Sequence, residues 1–258
     1  MPVHDWMRVS AGIFHNFHSA WITHLTETLN DGRLPAELYA LAEQSATRMK
    51  PDVLALATSK RDRDTPGNGG VAIAAPQTSL RRRADPNAAY RLARRTIVIR
   101  HTSGHQIVAL LEIASRANKD RAKSVNDFVE KLTRAVSNGI HVLLVDLFPP
   151  GRFDPQGLHG AFWQFYDSRF DEDWPPDKPL VLASYEASTD PEAWIEPLAV
   201  GQSMPDMPLF YDLHSYVDVP LEGTYQQAWR GVPAFWKDVI EGRTESPEPP
   251  ELTARLDL

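Results

Sequence analysis

Apolar residues recur at three- and four-residue intervals near the start of the chain, between Ile13 and Leu29. This spacing predicts an amphipathic helix, with Ser10 as its N-terminal cap. The Asn-Asp-Gly sequence at residues 30–32, followed by Pro35, ends the helix. The apolar positions of the helix are Ile13, Phe14, Phe17, Trp21, Ile22, Leu25 and Leu29.

Apolar runs of strand length follow, separated by turn-forming residues. Two runs joined around residues 102–104 predict a β-hairpin, and the periodic stretch 124–139 predicts a second helix that Gly139 ends. The almost entirely apolar run 140–148 is typical of a central strand covered on both faces. Residues 59–90 are rich in charge and turn formers, which predicts a long irregular loop. Two more strands are predicted before the hairpin, over residues 38–44 and 51–58, and the second begins at Pro51.

This order of elements predicts an α/β or α+β fold, a mixed sheet sandwiched by helices. After Phe148 prolines become frequent, and further strand candidates precede a partly helical stretch that Pro233 interrupts. We expect a core domain over residues 1–150, a proline-rich extension packing on it over 151–240, and a disordered tail over 241–258.

Composition narrows the function classes. The 258 residues include no cysteine, which excludes disulfides, thiolate metal sites and cysteine nucleophiles, and suits a cytoplasmic location. The sequence has no signal-peptide pattern and no apolar run of about eighteen residues, so we expect no membrane partner. The net charge of −7 is uneven: residues 58–100 hold ten basic and three acidic side chains, whereas residues 152–258 hold twenty acidic and seven basic ones. The basic segment 58–100 predicts a nucleic-acid partner, or else a solvated surface.

Acidic and basic residues at predicted strand ends suggest a catalytic site. Asp52 opens one strand, Glu112 ends another, and Lys119 and Lys123 follow before the next helix. If the two strands are neighbours, the carboxylates of Asp52 and Glu112 suit Mg²⁺, with Glu43 as a further carboxylate. A lysine beside that metal would position water or stabilise developing negative charge.

Each of these residues has a structural alternative. Glu112 also fits an ion pair with Arg100 or Arg116, and Asp52 fits a turn after Pro51. Asp146, within an apolar strand, is predicted either at a sheet edge or as a supporting partner of the site.

The stretches "PDVLAL" and "LLEIASRANK" resemble the PD-(D/E)XK restriction-endonuclease-like superfamily, over residues 38–148. Together with "MPVHDWMRVSAGIFHNFHSAWI" and "LPAELYALAEQ", the chain resembles the bacterial domain-of-unknown-function family 4058, from residue 1 to about residue 231. The resemblance implies a four-stranded mixed sheet flanked by helices and metal-dependent cleavage of phosphodiesters. It implies Asp52 and Glu112 as Mg²⁺ ligands, Lys119 as the lysine and Glu43 as the accessory carboxylate. The usual motif places its lysine two residues after the acid, where this chain has Ala114.

Two functions therefore stay open: a Mg²⁺-dependent nuclease, and a non-catalytic binding or scaffold protein that retains the nuclease-like fold. Other motifs also carry alternatives. His15 and His18 could form part of a zinc site but are more typical of packed or surface histidines. The arginines at 81–83 could contact phosphates or only solvent. Five tryptophans in the second half of the chain could stack on nucleic-acid bases or belong to the hydrophobic core: Trp163, Trp174, Trp194, Trp229 and Trp236.

Overall fold

The computed structural model of the chain describes residues 3–43, 79–83, 96–169 and 174–247. The strands are β1 (Leu38–Glu43), β2 (Leu80–Arg83), β3 (Thr96–His101), β4 (Ile107–Ile113), β5 (His141–Asp146), β6 (Leu180–Glu186), β7 (Glu192–Leu198), β8 (Met207–Asp212) and β9 (Ser215–Val219). The α-helices are α1 (Ala11–Thr28), α2 (Ala122–Ser137), α3 (Gly157–Trp163), α4 (Leu221–Arg230) and α5 (Ala234–Ile240).

Seven strands form one mixed sheet in the order β1-β3-β4-β5-β6-β7-β2. The pair β4–β5 is parallel and the other pairs are antiparallel. The parallel pair arises because α2 carries the chain back to the starting edge of the sheet, as a crossover helix does. The predicted mixed α+β sheet and the predicted β3–β4 hairpin are confirmed.

Alternation along the strands gives the sheet two buried faces. One face, with Leu111 and Leu143, packs against α1, α4 and the separate β8–β9 hairpin. The other face, with Leu110 and Leu144, packs against α2 and α3. Helices therefore cover both faces of the central strands, as the apolar run of β5 predicts.

The two long helices follow their predicted apolar patterns. In α1, which starts directly after Ser10, the buried positions include Phe14, Phe17, Trp21 and Leu25. The chain leaves α1 through a short π-helical turn in which Gly32 has a φ of 78°, a value that favours glycine. In α2, the apolar positions Val125, Phe128, Val129, Leu132 and Val136 are buried, and Gly139 (φ 73°) follows the helix.

The chain after residue 150 continues the same sheet. Strands β6 and β7 extend it beyond β5, and α4 packs on α1, where the Trp21 indole donates to Thr224 Oγ1 at 3.0 Å. Pro233 stands at the N-terminal cap of α5 and separates it from α4. The predicted extension therefore supplies two strands of the main sheet.

The prediction of a wholly irregular segment over 59–90 is wrong at one place. Residues Leu80–Arg83 form β2, an edge strand paired with β7. Its anchor is Ser79, whose backbone N–H and hydroxyl donate to Glu196 Oε2 at 3.1 and 2.7 Å. The predicted strand 51–58 lies outside the described residues, as does the tail from residue 248.

Candidate functional site

Polar side chains form a row across β1, β3 and β4 on the face that α2 covers. The strand register sets Glu43 opposite Thr96, and the Thr96 hydroxyl donates to Glu112 Oε1. Adjacent strands lie about 4.8 Å apart, so the backbones of Glu43 and Glu112 are roughly 10 Å apart. Two of the predicted carboxylates thus share a row, with a threonine between them.

Glu112 is sealed inside the protein. The residue is 0% exposed. Its Oε1 accepts a hydrogen bond from the Thr96 hydroxyl and forms an ion pair with the ammonium of Lys131 in α2. Burial raises the pKa of Glu112 from 4.5 to about 7, although Lys131 and Thr96 oppose the shift. Burial likewise lowers the pKa of Lys131. Among the described residues, Glu112 Oε2 has no hydrogen-bond partner.

Lys131 was not among the predicted site residues, yet it is the lysine that reaches Glu112. It lies three residues after Phe128 and four before Ala135, within the buried stripe of α2. A lysine on an apolar helical stripe is the sequence signal that would have identified it. The ion pair of Glu112 is therefore with Lys131, and neither Arg100 nor Arg116 is its partner.

Lys119 lies in a second buried cluster, at the C-terminal end of β5. Its ammonium is 2.8 Å from Asp146 Oδ2 and 3.0 Å from Asp154 Oδ2, and it donates to the Phe148 carbonyl at 2.7 Å. Two of these oxygens, Asp146 Oδ2 and the Phe148 carbonyl, accept hydrogen bonds from the ammonium group, and Asp154 Oδ2 is its ion-pair partner. Lys119 therefore forms its ion pairs with these two aspartates.

The two aspartates also hold the turn after β5. Asp146 Oδ1 accepts from the Phe148 N–H at 3.2 Å, and Asp154 Oδ1 accepts from the Gly151 N–H at 3.0 Å. Burial raises the pKa of Asp154, while Lys119 pulls it down. Since β5 lies between β4 and β6, Asp146 is not at a sheet edge.

Two predicted residues lie nearer the surface, in separate ion pairs. Lys123 is 77% exposed and contacts Asp127 Oδ2 at 2.6 Å, one turn along α2. Glu43 Oε1 pairs with the Arg100 guanidinium at 2.9 Å. Neither contact involves Glu112.

Asp52 lies outside the described residues, so its pairing with Glu112 stays a prediction. A metal site shared by Asp52 and Glu112 requires their strands to be neighbours. Both hydrogen-bonding edges of β4 are occupied, by β3 and by β5. Within the described ranges, moreover, no group of three or more His, Asp or Glu side chains is placed to hold a metal ion.

Burial distinguishes the alternative roles of several of the predicted histidines and tryptophans. His18 is buried, with Nε2 3.2 Å from the Ile113 carbonyl oxygen, whereas His15 is exposed. Trp163, Trp194 and Trp229 are buried, so these three rings form core and not a surface platform for bases.

Comparison of the chain with family models, with curated proteins and with solved structures finds no match in any of the three. In the part of the chain that is described, none of the helices has the length and apolarity needed to cross a bilayer.

Proposed function

We propose that this chain is a non-catalytic binding protein built on a nuclease-like core. The order of α1, β1, the β3–β4 hairpin, α2 and the parallel strand β5 supports the nuclease-like part of the proposal. One observation carries the non-catalytic part: the carboxylate of Glu112 is fully buried and paired with Lys131.

The physical reason lies in what a magnesium site requires. Mg²⁺ keeps several water molecules and binds carboxylates that meet solvent or substrate. Glu112 offers no solvent-facing oxygen, and a phosphodiester would reach it only after the contact with Lys131 opened. Across the hairpin, the position facing Glu112 holds Thr96, a hydroxyl in place of a second carboxylate.

Nucleic acid is the proposed ligand of this binding function, through the basic segment 58–100. Contacts between Arg or Lys and phosphates weaken steeply with salt. Anisotropy of a labelled DNA or RNA oligonucleotide at about 50 and 200 mM salt should therefore show a strong loss of affinity. Replacing the three arginines at 81–83 by serine should lower that salt dependence. An anisotropy that changes neither with salt nor with the arginine replacement would reject nucleic acid as the ligand.

Mg²⁺-dependent phosphodiester hydrolysis is a second candidate, and one observation favours it. Ala114 stands where the resembled motif has its lysine, but Lys131 brings an ammonium group to Glu112 from the neighbouring helix. An acid and a lysine in contact at a strand end are two of the components that the motif requires.

A cleavage assay separates the two functions. Linear and supercoiled DNA and RNA are incubated with wild type, Glu112→Gln and Lys131→Met, with and without Mg²⁺ or Mn²⁺. Lys123→Met, on the exposed side of the same helix, is the matched control, and circular dichroism verifies that each variant is folded. The non-catalytic proposal predicts equal background in all four proteins. Metal-dependent cleavage by wild type and the control that is lost in both site variants would establish the hydrolase instead.

A further inference from the structure

We propose that the N-terminal segment, residues 3–9, is fastened to α4 by a clasp that protonation of His4 opens. The segment buries Val3, Trp6 and Val9 against the core. Its side-chain hydrogen bonds to α4 all meet at one hydroxyl group, that of Tyr225. Elsewhere the segment is held by the Val3 backbone, which bonds to Gly201 and Gln202 at 2.9 and 2.7 Å, and by the Trp6 carbonyl, which accepts from Arg116 at 2.6 Å. This inference is independent of the proposed function.

The clasp is a set of three hydrogen bonds on the Tyr225 oxygen. The backbone N–H of His4 lies 3.2 Å from it, the Trp6 Nε1–H 3.1 Å, and His4 Nδ1 2.8 Å. The imidazole ring also stacks on Trp229, with centroids 3.6 Å apart and the planes 14° apart. The ring is therefore fixed both in position and in orientation.

These contacts determine the tautomer of His4. A tyrosine hydroxyl has one proton to donate and two lone pairs. The two N–H groups of the segment occupy the lone pairs, so the hydroxyl proton of Tyr225 must point at His4 Nδ1. Nδ1 is then an acceptor, and the proton of the neutral imidazole lies on Nε2.

A second proton on His4 is incompatible with this arrangement. It would go to Nδ1, where it faces the Tyr225 oxygen, which already accepts from two donors. The tyrosine proton would also lose its acceptor. Burial already disfavours the charged ring and lowers the pKa of His4 to about 4. Protonation of His4 is therefore coupled to opening of the clasp at Tyr225.

Charged side chains from α4 and α5 act on the ring. The Glu222 carboxylate favours the charged form of His4, whereas Lys237 disfavours it. Glu241 Oε1 lies 3.9 Å from Nε2 and is itself paired with Arg243. Both carboxylates lie on the α4–α5 side and oppose release of a protonated His4, but burial is the larger influence on its pKa and favours release.

Hydrogen exchange of the peptide covering residues 3–9, corrected for intrinsic rates, tests the clasp in the full chain. A histidine with a pKa of 6.5 when released and about 4 when clasped should raise the opening equilibrium about 100-fold between pH 7 and pH 4. In His4→Gln the side-chain oxygen still accepts from Tyr225 but does not titrate, so the increase should fall below about threefold. His18→Gln, at another buried histidine, should retain the full increase, and an α2 peptide reports global unfolding.

An equal acid-induced loss of protection in wild type and in His4→Gln would overturn the proposal. Nitrogen-15 shifts of His4 in the wild-type chain provide a second test that does not depend on a variant folding. We expect the proton on Nε2 at neutral pH, and a proton found on Nδ1 would reject the clasp.

Discussion

Replacing Lys131 by methionine is the sharpest test of the buried pair with Glu112. Methionine keeps the length and apolar stem of lysine but removes the ammonium that neutralises a fully buried carboxylate. Removing one partner of a buried ion pair typically costs about 3–5 kcal/mol. We expect Lys131→Met to lose about that much free energy of unfolding at pH 7.

The loss should depend on pH in a defined direction. Without Lys131, burial holds the pKa of Glu112 further above 4.5. When the pKa of a carboxyl group is higher in the folded state than in the unfolded state, the protein has its full free energy of unfolding below the unfolded-state pKa. That free energy falls as the pH rises toward the folded-state pKa. Each pH unit in that window costs at most about 1.4 kcal/mol. The variant should therefore recover roughly 1–2 kcal/mol between pH 7 and pH 5.5.

Urea unfolding at pH 5.5, 7 and 8, followed by circular dichroism, measures both effects. The double variant Glu112→Leu with Lys131→Met should return to within about 2 kcal/mol of wild type, because apolar replacement of a whole buried pair is often tolerated. Lys123→Met, whose lysine is exposed on the same helix, should change stability by less than about 0.5 kcal/mol. A loss below about 1 kcal/mol in Lys131→Met, with no pH dependence, would refute the buried-pair account.

Three further variants probe other parts of the fold. Lys119→Met should lower the free energy of unfolding in urea by about 3–5 kcal/mol, since it strands the buried Asp146 carboxylate; a loss no larger than that of an exposed lysine would contradict this. Asn30→Ala should lower the free energy of unfolding by about 1–2 kcal/mol, measured by thermal unfolding. The Asn30 amide hydrogen-bonds to both the N–H and the carbonyl of Ala40 on the outer edge of β1, at 2.8 and 3.0 Å. An unchanged melting temperature would contradict this. Gly139→Ala should cost about 1 kcal/mol in the same assay, because its φ of 73° strains any residue with a Cβ, and a stabilised variant would show that this backbone conformation is wrong.

Local periodicity was sufficient to predict much of the fold. The spacing in α1 and α2 and the apolar runs of β3, β4 and β5 are properties of neighbouring residues, so they are readable from the chain. Strand β2 was missed because its arginine-rich sequence lacks an apolar run. It is a strand only through pairing with β7, and basic residues are common on such edges.

The site was harder to predict because its contacts join residues far apart in the chain. Glu112 was identified from its position at a strand end, but its partner Lys131 lies on the next helix. Lys119 was expected beside Glu112, yet the turn after β5 brings Asp146 and Asp154 to it instead. Strand register and helix placement decide these pairings, and neither follows from sequence spacing alone.

Calorimetric titration of Mg²⁺ and of Mn²⁺ into wild type and Glu112→Gln tests whether the Glu112 carboxylate binds a metal ion. Because Glu112 is buried against Lys131, it should contribute nothing to metal binding, and the two proteins should give the same isotherm. Stoichiometric binding to wild type that disappears in Glu112→Gln would contradict it, and would place a carboxylate metal site at the end of β4.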